Sequence, residues 1–122
     1  MRVDIAWWEL AGTGQSIESL REHLREEAVD AWVDVPGLVL KLWIADRPGD
    51  RWGAVMLWTE RPADGALPAN RAAELIGGPP THRSRFEVEA AVEGAHPLVT
   101  LHGLGSAFAD ATSLSQGALP HA

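Results

Sequence analysis

The stretch Leu38 to Ala45, LVLKLWIA, followed after DRPGDR by Trp52 to Thr59, WGAVMLWT, decides how this chain folds. Both runs are short and rich in aliphatic, β-branched and aromatic residues, and the segment between them has Pro-Gly turn chemistry, so they read as an antiparallel hairpin. Alternation splits the first strand into Leu38, Leu40, Leu42 and Ile44 on one side and Val39, Lys41, Trp43 and Ala45 on the other. The second splits into Trp52, Ala54, Met56 and Trp58 against Gly53, Val55, Leu57 and Thr59. Apart from Lys41, neither side of either strand is charged. A sheet apolar on both faces needs cover on both, because exposing one would leave an apolar patch of roughly several hundred Å². The chain's own helices can cover one face. A second copy, joined sheet to sheet about a two-fold axis, is expected on the other.

Outward from this hairpin, Val3 to Leu10 (VDIAWWEL) reads as a preceding strand closed by Gly12 and Gly14. Ser16 is a suitable N-cap for a helix in which Ile17, Leu20, Leu24, Ala28, Ala31, Trp32 and Val35 recur at helical spacing. Pro36 and Gly37 end it. Beyond the hairpin, Pro62 to Pro68 is a loop, and Ala69 to Ile76 a short helix stopped by Gly77, Gly78, Pro79 and Pro80. Arg85 to Glu93 then alternates strictly, with Phe86, Val88, Ala90 and Val92 opposing Glu87, Glu89 and Glu93, which predicts an edge strand with one wet face. The order β-α-β-β-α-β is the ferredoxin-like split arrangement, an α+β fold with an antiparallel sheet. One domain is expected over 1–97, with a C-terminal arm or tail over 98–122, rich in small residues.

Composition narrows the function. At 122 residues the chain suits one domain with an ordinary core. With no cysteine it has no disulfide, thiolate nucleophile or sulfur-ligated metal. The histidines show no metal-ligand spacing. A net charge of −7 repels phosphate backbones, so nucleic acid is not an expected partner. No apolar stretch is long enough to span a bilayer, and MRVDIAWWEL reads as a strand rather than a secretory signal, so no membrane partner is expected and a cytoplasmic location is. There is no Gly-rich phosphate loop, paired-carboxylate motif or serine elbow, which sets nucleotide-dependent and hydrolase readings behind others.

The ten basic residues are nine arginines and Lys41, so the one lysine, placed mid-strand, draws attention. It is either a pocket cation or depressed-pKa base, or the structural partner of a carboxylate. His82, behind Pro79 and Pro80, is either a base at a pocket mouth or a solvated loop side chain. Glu9 interrupts an apolar strand beside Trp7 and Trp8; facing inward it is an acid or base, and at a strand end it is simply exposed. Trp7, Trp43 and Trp58 are core by default and pocket walls otherwise, and six tryptophans favour an aromatic ligand. Arg83 suits an acidic or enolate oxygen or a surface ion pair, and Asn70, opening the short helix, either reaches the pocket or is solvated at the helix start.

The run PGLVLKLWIAD followed by WGAVMLW resembles the YdhR-like mono-oxygenase family of the dimeric α+β barrel superfamily, in which Pro-Gly leads into a strand carrying Lys-x-Trp. The resemblance covers Val3 to Pro97, and its specific part is Pro36 to Trp58. It implies two ferredoxin-like sheets packed face to face in a homodimer, with a pocket between each sheet and its own helices. It further implies oxygenation of a small aromatic or polyketide-like substrate without a cofactor, with non-oxidative cyclisation, isomerisation or dehydration, or plain small-molecule binding, as the alternatives. The chain departs from the pattern in having no tyrosine and in its GGPPTHR segment, so the phenolic role that some relatives use is excluded.

Overall fold

The computed structural model describes residues 1–60, 67–68, 71–96, 98 and 101–109. Strand β1 (Arg2–Glu9) leads into helix α1 (Ile17–His23), and strands β2 (Leu38–Asp46) and β3 (Arg51–Trp58) form the hairpin. Helix α2 (Arg71–Ile76) and strand β4 (His82–Glu87) follow. The four strands make one antiparallel sheet in the order β2-β3-β1-β4, an α+β arrangement compatible with the ferredoxin-like fold. No helix among the described residues is long and apolar enough to cross a membrane.

Local chemistry explains the boundaries. Ser16 caps α1 by accepting from the Ser19 N–H at 3.1 Å, and Ser19 Oγ accepts from the Ser16 N–H at 2.9 Å, a reciprocal box that satisfies two otherwise free donors. The hairpin turn is held by Asp46, whose carboxylate accepts from the Gly49 N–H at 3.2 Å and pairs with Arg51 at 2.5 Å. Gly37 adopts φ +82°, and a Cβ there would meet the Glu60 carbonyl oxygen at 2.2 Å.

Three expectations from the sequence need correction. The helix expected through Val35 is α1 only as far as His23. A π-helical turn (Leu24–Ala28) and a 3₁₀ turn (Asp30–Trp32) replace its second half. A π-turn closes i→i+5 bonds and shifts the side-chain phase, so Ala31 is exposed whereas Ile17, Leu20 and Leu24 stay buried. The last strand is His82–Glu87 rather than 85–93, because β4 lasts only where β1 lies beside it. Arg2 pairs with Glu87, and the Val88 N–H donating to the Met1 carbonyl at 3.1 Å closes the ladder, leaving Val92 94% exposed. Finally, the register slips between Leu38 and Leu40, so Leu38 sits opposite Trp58 and leaves the apolar row of Leu40, Leu42 and Ile44.

The core lies between the sheet and α1, where Trp8, Leu10, Ile17, Leu20, Leu24 and Trp52 pack together. Ala107, in a one-turn 3₁₀ segment (Ser106–Phe108), joins this cluster, and its carbonyl accepts from Arg25 Nε. The short helix is described from Arg71 onward. Gly53 has no room for a side chain, since a Cβ would stand 2.1 Å from the Ala6 carbonyl oxygen and 2.8 Å from Trp7 Cβ. Gly53→Ala should therefore lower the melting temperature by about 5 °C or more. Gly94→Ala, with nothing within 4 Å, should leave it unchanged in the same thermal scans.

Candidate functional site

Side-chain rows across the sheet build the site. The register aligns Arg83 of β4, Ala6 of β1, Ala54 of β3 and Trp43 of β2 in one row facing the helices. The row on one side of it is Trp8, Trp52 and Ala45, and the row on the other is Arg85, Asp4, Met56 and Lys41. Small side chains in the middle row, bounded by large ones in the rows beside it, leave a cavity of about 140 Å³ over Ala6 and Ala54. Tryptophans 8, 32, 43, 52 and 58 line it, with Leu67, Pro68, Ala72 and Pro80 bordering it from the α2 side.

Lys41 and Arg83 are the basic residues in its lining, and Lys41 is the enclosed one. Its Nζ lies 3.2 Å from the ring centroid of Trp32 and 4.7 Å from that of Trp43, so two indole faces enclose the ammonium. Burial strips water from the charge and pulls the Lys41 pKa down from 10.5 to about 7. The indole quadrupoles act in the opposite sense, favouring the cation. Close to neutral pH the side chain thus exchanges between ammonium and free amine, as a general base or a switchable cation requires. Trp32 reaches this position from the 3₁₀ turn after the π-turn.

The same three residues, Trp32, Lys41 and Trp43, also border a wider groove of about 750 Å³ along β2. Its apolar wall comes from β2 and from Leu98, Leu101, Leu104 and Phe108 of the C-terminal segment. His102 Nε2 meets Asp30 at 2.8 Å beside it.

Of the residues singled out in the sequence, Lys41, Trp43, Trp58 and Arg83 line the inner cavity. Trp7 and His82 do not. They belong to the opposite face, where their rings stack at 4.1 Å centroid separation and 16° between planes, and His82 Nε2 lies 2.5 Å from Ser84 Oγ. His82 opens β4 instead of standing in a loop, and strand alternation turns its ring away from Lys41. Glu9 is exposed at the end of β1, opposite Arg51. Asn70 lies outside the described residues. Asp4, not among those residues, is also buried in the cavity wall, and its sequence signal is a carboxylate in phase with Ala6 and Trp8 inside an otherwise apolar strand. Compared with known proteins, the chain matches no family model and no curated sequence.

The depressed pKa of Lys41 has a consequence for stability. The unfolded chain holds this proton up to about pH 10.5 and the folded chain only to about 7, so between these values the unfolded state binds more protons. Stability should rise with pH across that window and be flat below it. Urea melts at roughly pH 6.5 and 9.5 should show wild type gaining on Lys41→Met by a few kcal/mol at the higher pH. A difference independent of pH would show that the lysine titrates at its ordinary value.

Proposed function

We propose that the chain is a cofactor-independent mono-oxygenase of small aromatic or polyketide-like molecules, of the YdhR-like, dimeric α+β barrel kind. The observation that carries this reading is Lys41, the only lysine, desolvated between two indole faces at the edge of a tryptophan-lined cavity. A neutral amine there accepts a proton from an acidic C–H or O–H of a flat substrate, and the resulting ammonium holds the anion in an environment that excludes water. The anion is itself the reductant of dioxygen. For an activated ring methylene the balance is ArCH₂ plus O₂ giving ArC=O plus H₂O. One oxygen atom enters the substrate, and the other leaves as water with the two methylene hydrogens.

Oxygen-electrode assays with anthrone-type and quinol-type substrates test this. Uptake should match substrate loss one to one and fall about 100-fold in Lys41→Met. The rate should rise with pH through about 7, as the amine of Lys41 loses its proton. No uptake with any of these substrates, or full activity in Lys41→Met, would remove the proposal. A second reading has its own support, because Asp4 shares the Arg85–Asp4–Met56–Lys41 row and supplies a second polar group for a non-oxidative cyclase, isomerase or dehydratase. Turnover in the absence of oxygen selects it.

The same reading assigns the open face of the sheet to a homodimer seam. Leu42, Ile44 and Phe86 are 46%, 37% and 55% exposed there, and Leu40, Val55 and Ile5 share their face by register. The charges Glu9, Arg51 and Asp46 gather at one end of it. A stable interface buries about 800 Å² per partner, and apolar area is worth about 25 cal/mol per Å². Light scattering at micromolar concentration should return twice the chain mass for wild type and the single mass for Leu42→Asp. A wild-type monomer would contradict the seam.

A further inference from the structure

Lys41 has a second chemistry open to it besides taking up a proton. Among the described residues its Nζ makes no hydrogen bond and no ion pair, and burial alone accounts for its lowered pKa, so no carboxylate holds it as an ammonium. Nor is it sealed. Trp58 Nε1 is closed to water and without a hydrogen bond, whereas Nζ, equally unbonded, stays open on a half-buried side chain. Lys41 borders both the inner cavity of about 140 Å³ and the groove of about 750 Å³ along β2, so the amine is approached from either space.

An unpaired amine that is partly unprotonated at neutral pH, beside an aromatic-walled space, is the arrangement that attacks a carbonyl carbon. An apolar cavity of about 150 Å³ accepts benzene. The cavity over Ala6 and Ala54 is of that size and offers indole faces for a ring to pack on. We infer that Lys41 is a covalent capture site for single-ring aromatic aldehydes, held as an imine with the ring in the inner cavity. The amine lone pair adds to the carbonyl carbon, and the new C–N bond becomes C=N as the carbonyl oxygen departs with both amine hydrogens as water. Nothing is oxidised or reduced. A proton from solvent converts the imine to an iminium, and the faces of Trp32 and Trp43, 3.2 Å and 4.7 Å from Nζ, favour that cation as they favour the ammonium. This goes beyond the oxygenation reading, since it needs neither dioxygen nor an acidic C–H and assigns carbonyl compounds to the same lysine as a further substrate class.

The test is reductive trapping of the full chain with benzaldehyde and sodium cyanoborohydride at neutral pH, in anaerobic buffer, read by intact mass and peptide mass spectrometry. Cyanoborohydride reduces the imine and fixes a benzyl group on the nitrogen. With a single lysine, the chain has one other amine, the terminal amine of the exposed Met1, which serves as the internal control. Lys41 should be labelled about tenfold faster than the terminal amine, at a rate that saturates with benzaldehyde while the terminal rate stays linear. Toluene, which fills the cavity without reacting, should slow Lys41 alone. Trp32→Leu, which removes the nearer indole face, should bring the Lys41 rate close to that of the terminal amine. Should that variant fail to fold, saturation and toluene competition in wild type decide. No benzyl group on Lys41, or labelling there that neither saturates nor yields to toluene, overturns the capture site. A trapped imine without oxygen uptake on the anthrone-type and quinol-type substrates keeps this inference and removes oxygenation. Oxygen uptake that Lys41→Met abolishes, with no imine trapped, does the reverse.

Discussion

Eight consecutive pairings between β1 and β3, from Arg2 opposite Trp58 to Glu9 opposite Arg51, hold the centre of this sheet, and the site depends on their register. A slip of one residue would turn every side chain of β1 to the other face. Ala6 would no longer meet Ala54, the cavity floor would be lost, and Asp4 would leave the row of Lys41. Gly53 belongs to the same constraint, since the close approach of β3 to Ala6 and Trp7 tolerates no Cβ. The cavity therefore comes from small residues being matched across the two central strands, with Trp8 and Trp52 in one flanking row and Met56 and Lys41 in the other.

Within that frame, Lys41 is a costly residue that the surroundings only partly accommodate. Burial strips water from its ammonium and draws its pKa down to about 7, while two indole faces enclose the charge. Asp4 solves the equivalent problem differently, through Arg2 two residues earlier on the same side of β1. One buried charge thus has a fixed counter-ion and the other has a polarisable cage. That difference sets a standing acceptor and a switchable base on one face of one sheet.

The two faces of the sheet divide their residues by strand alternation, and this division separates groups that are close in sequence. Trp7 and Trp8 are neighbours in the chain, yet Trp8 packs in the core and donates to the Gly78 carbonyl at 2.9 Å, while Trp7 stacks on His82 across the sheet. His82 and Arg83 part in the same way, and Arg83 alone borders the cavity. Chemistry that looked contiguous along the chain is therefore split between two surfaces.

Much of the fold was legible because it rests on local chemistry. The period-two alternation in LVLKLWIA and WGAVMLWT, the Pro-Gly hairpin and the Ser16 cap each act over a few residues, and the antiparallel α+β sheet follows from their order. The phase of Lys41 with Trp43 was also readable, since a strand side chain's face is set by counting. What the chain alone did not decide is pairing. The extent of β4 depends on how far β1 runs beside it, the place of Leu38 on a register slip against β3, and the reach of Trp32 to Lys41 on a π-turn that alters the helical phase. Alternation assigns a residue to a side of its own strand, whereas only tertiary structure sets which strands lie adjacent and in what register, and so which of the sided residues meet.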